Sequence, residues 1–278
     1  MIEEIYKLFL FFVLGLIYFY SLTGYGKILT SKYSNFFELP LDGSILLLII
    51  GYVIYLSIGI NILLNCFILF VGLVIFFYQE KKNSTIKFNY IFLIFFFLFS
   101  VIIISKTHED FDLYHFFSIS ELFNNSIRIG ISKLNPRFLH SSHFALNQAL
   151  IILPYFDFKI VHLPVFIIYL SSIGYFLKNS FSNNLKQNEL LFSLSCLLIL
   201  LVKFNRLSEF GYDYISQFIL LIVFHKIYFL NLNTSEVTKA ILYFMLCILI
   251  KPISLLFFPI LFFIIYKRGF IFLKEISS

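Results

Sequence analysis

Apolar residues run through this chain in long uninterrupted blocks, separated by short polar breaks. The blocks predict membrane spans at 5–24, 44–60, 61–78, 88–104, 160–177, 189–205 and 214–230, and a final pair at 237–250 and 252–266. About 20 helical residues cross a bilayer core of roughly 30 Å. The blocks are apolar all round, so periodicity does not say which face meets lipid. The pattern predicts an all-α, polytopic integral membrane helix bundle of about 8–10 transmembrane helices. One long extracytoplasmic loop, 105–143, is expected to carry juxtamembrane helices. The chain divides into N-terminal transmembrane helices at 1–87 and a transmembrane core at 88–278 that contains the loop. The first block begins at residue 5 with no small-residue cleavage site after it, so it reads as a retained helix and not a signal peptide.

Two places break the pattern. Segment 144–157 (FALNQALIILPYFD) is too short to span: fourteen helical residues reach only about 21 Å. It also holds Asn147, Gln148 and Pro154, so it reads as a juxtamembrane or half-inserted helix on the loop side. Irregular backbone at that depth survives only where other helices cover it or it lines a cavity. The second break is Lys251-Pro252, where proline removes a backbone donor and biases its predecessor away from helix. A lysine there must face protein, water or an anion.

Basic residues then set the expected orientation. With KKNSTIK (81–87) inside, 105–143 falls outside, Lys178 and Lys186 return inside, and RLSEFGYDY (206–214) lies outside. Lys226, Lys267, Arg268 and Lys274 are again inside, in line with the positive-inside bias. Arg128, Lys133 and Arg137 run against it.

Composition changes the picture only a little. Of 278 residues, 60% are hydrophobic and 13% charged, against roughly 25% charged in soluble domains, which excludes a soluble globular fold. The mean hydropathy is +0.93. Forty Phe and no Trp read as codon bias from an AT-rich genome. The net charge of +6 belongs to basic loops; no basic patch interleaved with aromatics predicts nucleic acid as a partner. Cys66, Cys196 and Cys247 lie inside apolar blocks without CxxC spacing and read as small core residues.

The loop at 105–143 holds four of the six histidines together with Glu109, Asp110, Asp112, Glu121, Lys106, Arg128, Lys133 and Arg137. A loop this long and titratable is the first place to look for chemistry. In HEDFDLYH (108–115), helical winding would put Asp112 and His115 on one face. With Asp110 they could hold a divalent metal ion, or one carboxylate could act as general base toward a hydroxyl. An ordinary solvated loop is the plainer alternative. Arg137 in LNPRFLHSSH offers a donor fork suited to phosphate, or a charge at the membrane edge. Glu209 and Asp213 in SEFGYDY could be a second ligand pair, with Asp213 the more natural helix cap. His162 and His225 sit in apolar blocks and are expected to be satisfied by neighbouring helices. No P-loop, GxSxG, HExxH or dinucleotide fingerprint is present.

This set resembles the GT-C class of membrane glycosyltransferases, which use polyprenyl-phosphate-linked sugars. It looks closer still to a group of bacterial multi-pass proteins related to them. The resemblance rests on D-x-x-L-Y-H (Asp110, Leu113, Tyr114, His115), then Gly130, Arg137, Ser141 and Ser142, then Ser208 to Asp213, and the helix-breaking Lys251, over roughly 88–266. It implies a catalytic aspartate at Asp110 or Asp112, sometimes helped by a divalent metal held by Asp110, Asp112 and His115. It implies phosphate binding by Arg137 and Lys251, with Tyr114, His115, Ser142, Glu209 and Asp213 in support. It also implies residence in a bacterial inner (cytoplasmic) membrane. Such proteins are generally longer, so the resemblance implies a short variant, a truncated reading frame or one part of a complex. The expected partners are the lipid bilayer and a polyprenyl-phosphate-linked sugar, in envelope glycan assembly. The alternatives are a transporter or flippase of lipid-linked or anionic substrates, and a non-catalytic membrane scaffold.

Overall fold

The computed structural model describes residues 2–30, 35–82, 110–125, 133, 142–154, 158–181, 186–207, 212–229 and 234–268. Every regular element among them is helical. In chain order they are α1 (Ile2–Leu29), α2 (Leu39–Ser57), α3 (Ile62–Lys82), α4 (Phe116–Asn124), α5 (Ala145–Ala149), α6 (Leu163–Ser180), α7 (Gln187–Leu207), α8 (Asp213–Phe229), α9 (Thr234–Ile250) and α10 (Pro259–Arg268). A π-helical turn at Phe111–His115 leads into α4, and 3-10 turns precede α2, α6 and α10.

Five stretches are long and apolar enough to cross a membrane: Phe9–Leu29, Phe36–Ser57, Ile62–Glu80, Ile160–Ser180 and Gln187–Phe204. Tyr214–Phe229 and Pro252–Phe263 are shorter apolar helices. The chain is thus a helical bundle of membrane character. The expected span at 88–104 lies outside the described residues.

The largest departure from the sequence pattern is where α1 and α2 meet. The pattern of apolar blocks ends the first helix at residue 24 and starts the second at 44. Instead α1 runs on to Leu29 and α2 begins at Leu39. Pro40 sits in the first turn of α2, where its missing N–H costs nothing. The glycines serve contact and not bending. A Cβ at Gly43 would lie 1.9 Å from the Leu22 carbonyl oxygen, one at Gly26 would lie 2.0 Å from that of Leu39, and one at Gly24 would lie 2.1 Å from that of Gly72. Small residues let membrane helices meet backbone to backbone, and α1 takes both neighbours this way.

Helix α6 is the centre of the bundle: every residue from Leu163 to Phe176 is buried. One core joins α1, α2, α3, α5 and the start of α6, and a second joins α2 with α6 to α9. Helix α7 shows a row of exposed apolar side chains, among them Leu191, Leu194, Leu198 and Val202, as a lipid-facing helix would.

The described part of segment 144–157 holds a helix of only five residues, α5, whose residues are all buried. Its polar side chains are spent on backbone. Asn147 donates to the Ser44 carbonyl at 3.1 Å and Gln148 to that of Val161 at 2.9 Å. From α3, Asn65 donates to the carbonyls of Ala149 at 3.0 Å and Ile152 at 2.8 Å. Irregular backbone inside an apolar bundle must find such partners or pay the cost of burial unmet. The break at Lys251 is likewise present: α9 ends at Ile250, Lys251 is extended, and Pro252 opens a 3-10 turn.

Candidate functional site

Side-chain contacts between helix termini define two polar ends of the bundle. One gathers the C-termini of α1, α3, α6 and α8 and the N-termini of α2, α7 and α9. The other gathers the opposite termini with the π turn and the 142–154 segment. Those sequence-predicted residues that lie among the described ones fall at the second end.

His115 is buried there, its ring edge-on to Tyr212 with centroids 4.2 Å apart. The Tyr212 hydroxyl accepts from the Ser142 backbone N–H at 3.5 Å, and the Ser142 hydroxyl accepts from the Phe144 N–H at 3.2 Å. The next N–H, that of His143, donates to the Leu249 carbonyl at 3.1 Å, two residues before Lys251. The His143 imidazole meets the Tyr52 hydroxyl from α2. Partial burial holds the His143 pKa below its ordinary value. Four remote segments therefore meet: 110–115, 142–143, 212 and 249–251.

The individual residues are less uniform. Asp110 precedes the π turn and is half-buried, Asp112 is exposed, and Lys251 is half-buried. Tyr114 lies within the π turn and Asp213 is the first residue of α8. Arg137 and Glu209 lie outside the described residues, as do Gly130, Ser141 and Ser208. The widened π winding separates Asp112, facing out, from His115, facing in, where a regular helix would pair them. Among the described residues no three His, Cys, Asp or Glu side chains group to hold a metal ion.

The first end carries a constellation that the sequence reading passed over. Glu38 is fully buried and takes two lysines, Lys226 of α8 at 3.0 Å and Lys239 of α9 at 2.8 Å. Lys226 also bonds Glu236 at 2.6 Å, and Lys239 stands 3.9 Å from Asp42. Asp42 accepts from the Thr30 hydroxyl at 2.6 Å and the Tyr243 hydroxyl at 2.8 Å. The charges thus alternate along a chain Glu236, Lys226, Glu38, Lys239, Asp42 that ties α1 and α2 to α8 and α9. Lys27 pairs with Glu80 nearby, joining α1 to α3.

Local sequence favours each placement. Glu38 and Asp42 stand at the N-terminus of α2 and Glu236 in the first turn of α9, where the helix dipole welcomes negative charge. Lys226 stands in the last turn of α8, where it welcomes positive charge. A readable signal existed: Glu38 and Asp42 share a face at i, i+4, as do Lys239 and Tyr243. A second span that begins at 44 places both acids in a loop, where this shared face has no meaning.

Beside this chain, His225 is satisfied by a neighbouring helix at one ring nitrogen only, for its Nε2 makes no hydrogen bond among the described residues. Its Nδ1 meets the Tyr175 hydroxyl of α6 at 2.9 Å, and its Nε2 lies 3.3 Å from the Glu189 carboxylate of α7.

Compared with protein-family models, curated proteins and solved structures, the chain matches none.

Proposed function

We propose that the chain is an integral membrane glycosyltransferase-like protein that works at the Tyr212 end of the bundle. It would transfer a sugar from a polyprenyl-phosphate donor to an acceptor in envelope glycan assembly. The supporting observation is the meeting of four remote segments around Tyr212, each of which carries residues expected from the sequence: Asp110, Asp112 and His115; Ser142; Asp213; and Lys251. In this reading Asp110 or Asp112 takes the proton of the acceptor hydroxyl. The acceptor oxygen then bonds the sugar as the sugar–phosphate bond breaks, and the phosphate leaves on its lipid. Lys251 and Arg137 neutralise the leaving phosphate. His115 and Tyr212 hold the π turn against α8. No step runs through a metal.

Helix α3 ends at Lys82, and Lys178 stands in the last turn of α6, both toward the opposite, Glu38 end, which supports a cytoplasmic Glu38 end and an extracytoplasmic Tyr212 end in a bacterial inner membrane.

The test is complementation of a glycan-assembly defect in cells lacking the chain. Of Asp110→Asn and Asp112→Asn, one should lose activity by about 10²-fold or more, the scale of general-base loss. Full activity in both variants at normal expression overturns the reading.

A second reading, transport of lipid-linked or anionic substrates, draws on one observation. The buried α5 segment and the Lys251 break lie side by side, joined by the bond from the His143 N–H to the Leu249 carbonyl. Transporter sites are built from such discontinuous helices. Substrate flux in reconstituted vesicles that survives both carboxylate changes but is lost in Lys251→Met would favour it.

A further inference from the structure

Asp42, the last member of the charge chain, is held differently from Glu38. Glu38 receives both lysines at hydrogen-bonding distance. Asp42 is as deeply buried, yet among the described residues its hydrogen bonds come from two hydroxyls, Thr30 at its Oδ2 and Tyr243 at its Oδ1. Lys239 stands 3.9 Å away, committed to Glu38. A buried carboxylate without a hydrogen-bonded cation tends to take a proton and become neutral. The α2 dipole favours the ion, but only weakly beside the cost of burying it.

The protons on the hydroxyls point the same way. Thr30 Oγ1 carries one proton and has two acceptors in reach, the Gly26 carbonyl at 2.9 Å and Asp42 Oδ2 at 2.6 Å. Beside an ionised Asp42, Thr30 can fully serve only one of them. With a proton on Asp42 Oδ2, the acid donates to Thr30 and Thr30 donates to Gly26. Tyr243 donates to Oδ1 in either state. Thr30 is only half-buried, just past the end of α1, so its hydroxyl links the buried acid to the surface. The charged and titratable groups facing Asp42 are Glu38 at its own end of α2, and Lys239 and Tyr243 of α9. Around Glu38 stand Lys226 of α8, Glu236 of α9, and Tyr175 and Lys178 of α6, while Lys27 of α1 pairs with Glu80 of α3.

We propose that Asp42 is a proton-binding site, filled through the Thr30 hydroxyl, whose occupancy decides whether Lys239 serves Glu38 alone or is shared between Glu38 and Asp42. The bond formed is that from Asp42 Oδ2 to hydrogen. The proton comes from water at the Thr30 side and returns there, and nothing else is consumed or released. The Lys239 distances, 2.8 Å to Glu38 and 3.9 Å to Asp42, match the occupied form. Loss of the proton sets a second carboxylate beside one ammonium, and Lys239 must then divide between the two acids of α2. Carboxylates inside membrane bundles commonly form proton relays. This site is independent of the chemistry assigned to the Tyr212 end.

The experiment is carbon NMR of the full chain in detergent micelles, with its aspartates labelled at the side-chain carboxyl carbon. Of the five aspartate signals, that of Asp42 is the one missing in Asp42→Asn. At about pH 6, some two units above the ordinary aspartate value, it should report the acid, and it should move to the ionised position as pH rises further. In Lys239→Gln that move should need a pH about one unit higher, because the ion loses its nearest ammonium. If Lys239→Gln does not fold, Glu38→Gln decides: Lys239 is then released to Asp42, and the move should come about one unit lower. Thermal unfolding gives a second readout. Asparagine copies the acid, donating to Thr30 and accepting from Tyr243, so Asp42→Asn at about pH 6 should melt within about 3 °C of the parent. Glu38→Gln should fall well below it. An ionised Asp42 carbon at about pH 6, or an Asp42→Asn chain that fails to fold or melts as low as Glu38→Gln, overturns the site. A titration that moves in neither lysine nor glutamate variant overturns the link to Lys239.

Discussion

Lys239 reaches from α9 to Glu38, 201 residues away in sequence, and bonds its carboxylate at 2.8 Å with both groups buried. Burying two ions costs more than their mutual attraction returns unless hydrogen bonds complete the site. Here Lys226 completes the Glu38 carboxylate from the other side. Removing one member leaves an uncompensated buried charge. Glu38→Gln should therefore destabilise the fold by about 3–5 kcal/mol, and Lys239→Met by a similar amount. The double change should cost less than the sum of the two. Thermal unfolding of the purified protein in detergent checks this, and additivity within about 0.5 kcal/mol would show that the two groups are not coupled.

The contact between α1 and α2 leaves no room for a side chain at Gly43. A Cβ there would lie 1.9 Å from a backbone oxygen, which cannot swing aside. Gly43→Ala should push the helices apart and cost about 1–3 kcal/mol, the usual scale of overpacking. A matching loss should appear for Gly26→Ala, which meets the Leu39 carbonyl. A melting temperature unchanged from the parent in both variants would contradict the close approach.

The Asn65 side chain donates to two carbonyls, one on the last residue of α5 and one three residues beyond it. Asn65→Leu keeps the bulk and removes both donated bonds. Leaving buried acceptors unmet costs about 1–3 kcal/mol. The change should also raise deuterium exchange across 145–153 selectively. Uniform exchange in that window would mean that the segment is held by its apolar contacts alone.

At the Tyr212 end, His143 carries a sign that can be worked out. Its folded pKa lies below the ordinary histidine value of about 6.5. Between the two values the unfolded chain binds more protons, so stability rises with pH there. The contribution is complete above the ordinary value and is lost as pH falls toward the folded one. His143→Gln should therefore flatten part of the acid-side fall in melting temperature. Identical pH profiles for parent and variant would contradict the shift.

How much of this was legible beforehand differs by element. The apolar blocks at 61–78, 189–205 and 214–230 became α3, α7 and α8 with ends within a few residues, because in an apolar bundle length and hydropathy suffice to specify a helix. The Lys251-Pro252 break was equally readable, since proline acts on its own backbone whatever surrounds it. Asp42 and Glu38 were not. A carboxylate beside proline and glycine looks like a loop residue until a lysine from another helix arrives to neutralise it. His115 and Ser142 stood out by composition, but their meeting at Tyr212 did not, because no local rule brings residues 115, 142 and 212 together. Chain chemistry alone thus set which segments are helices and that they belong in a bilayer, since those outcomes depend on each segment and its solvent. Which charges pair, which glycines carry contacts and which loops share an end depended on the packing of helices remote in sequence. Only tertiary structure decides those, because a buried charge or a close backbone approach is stable solely when its partner is already in place.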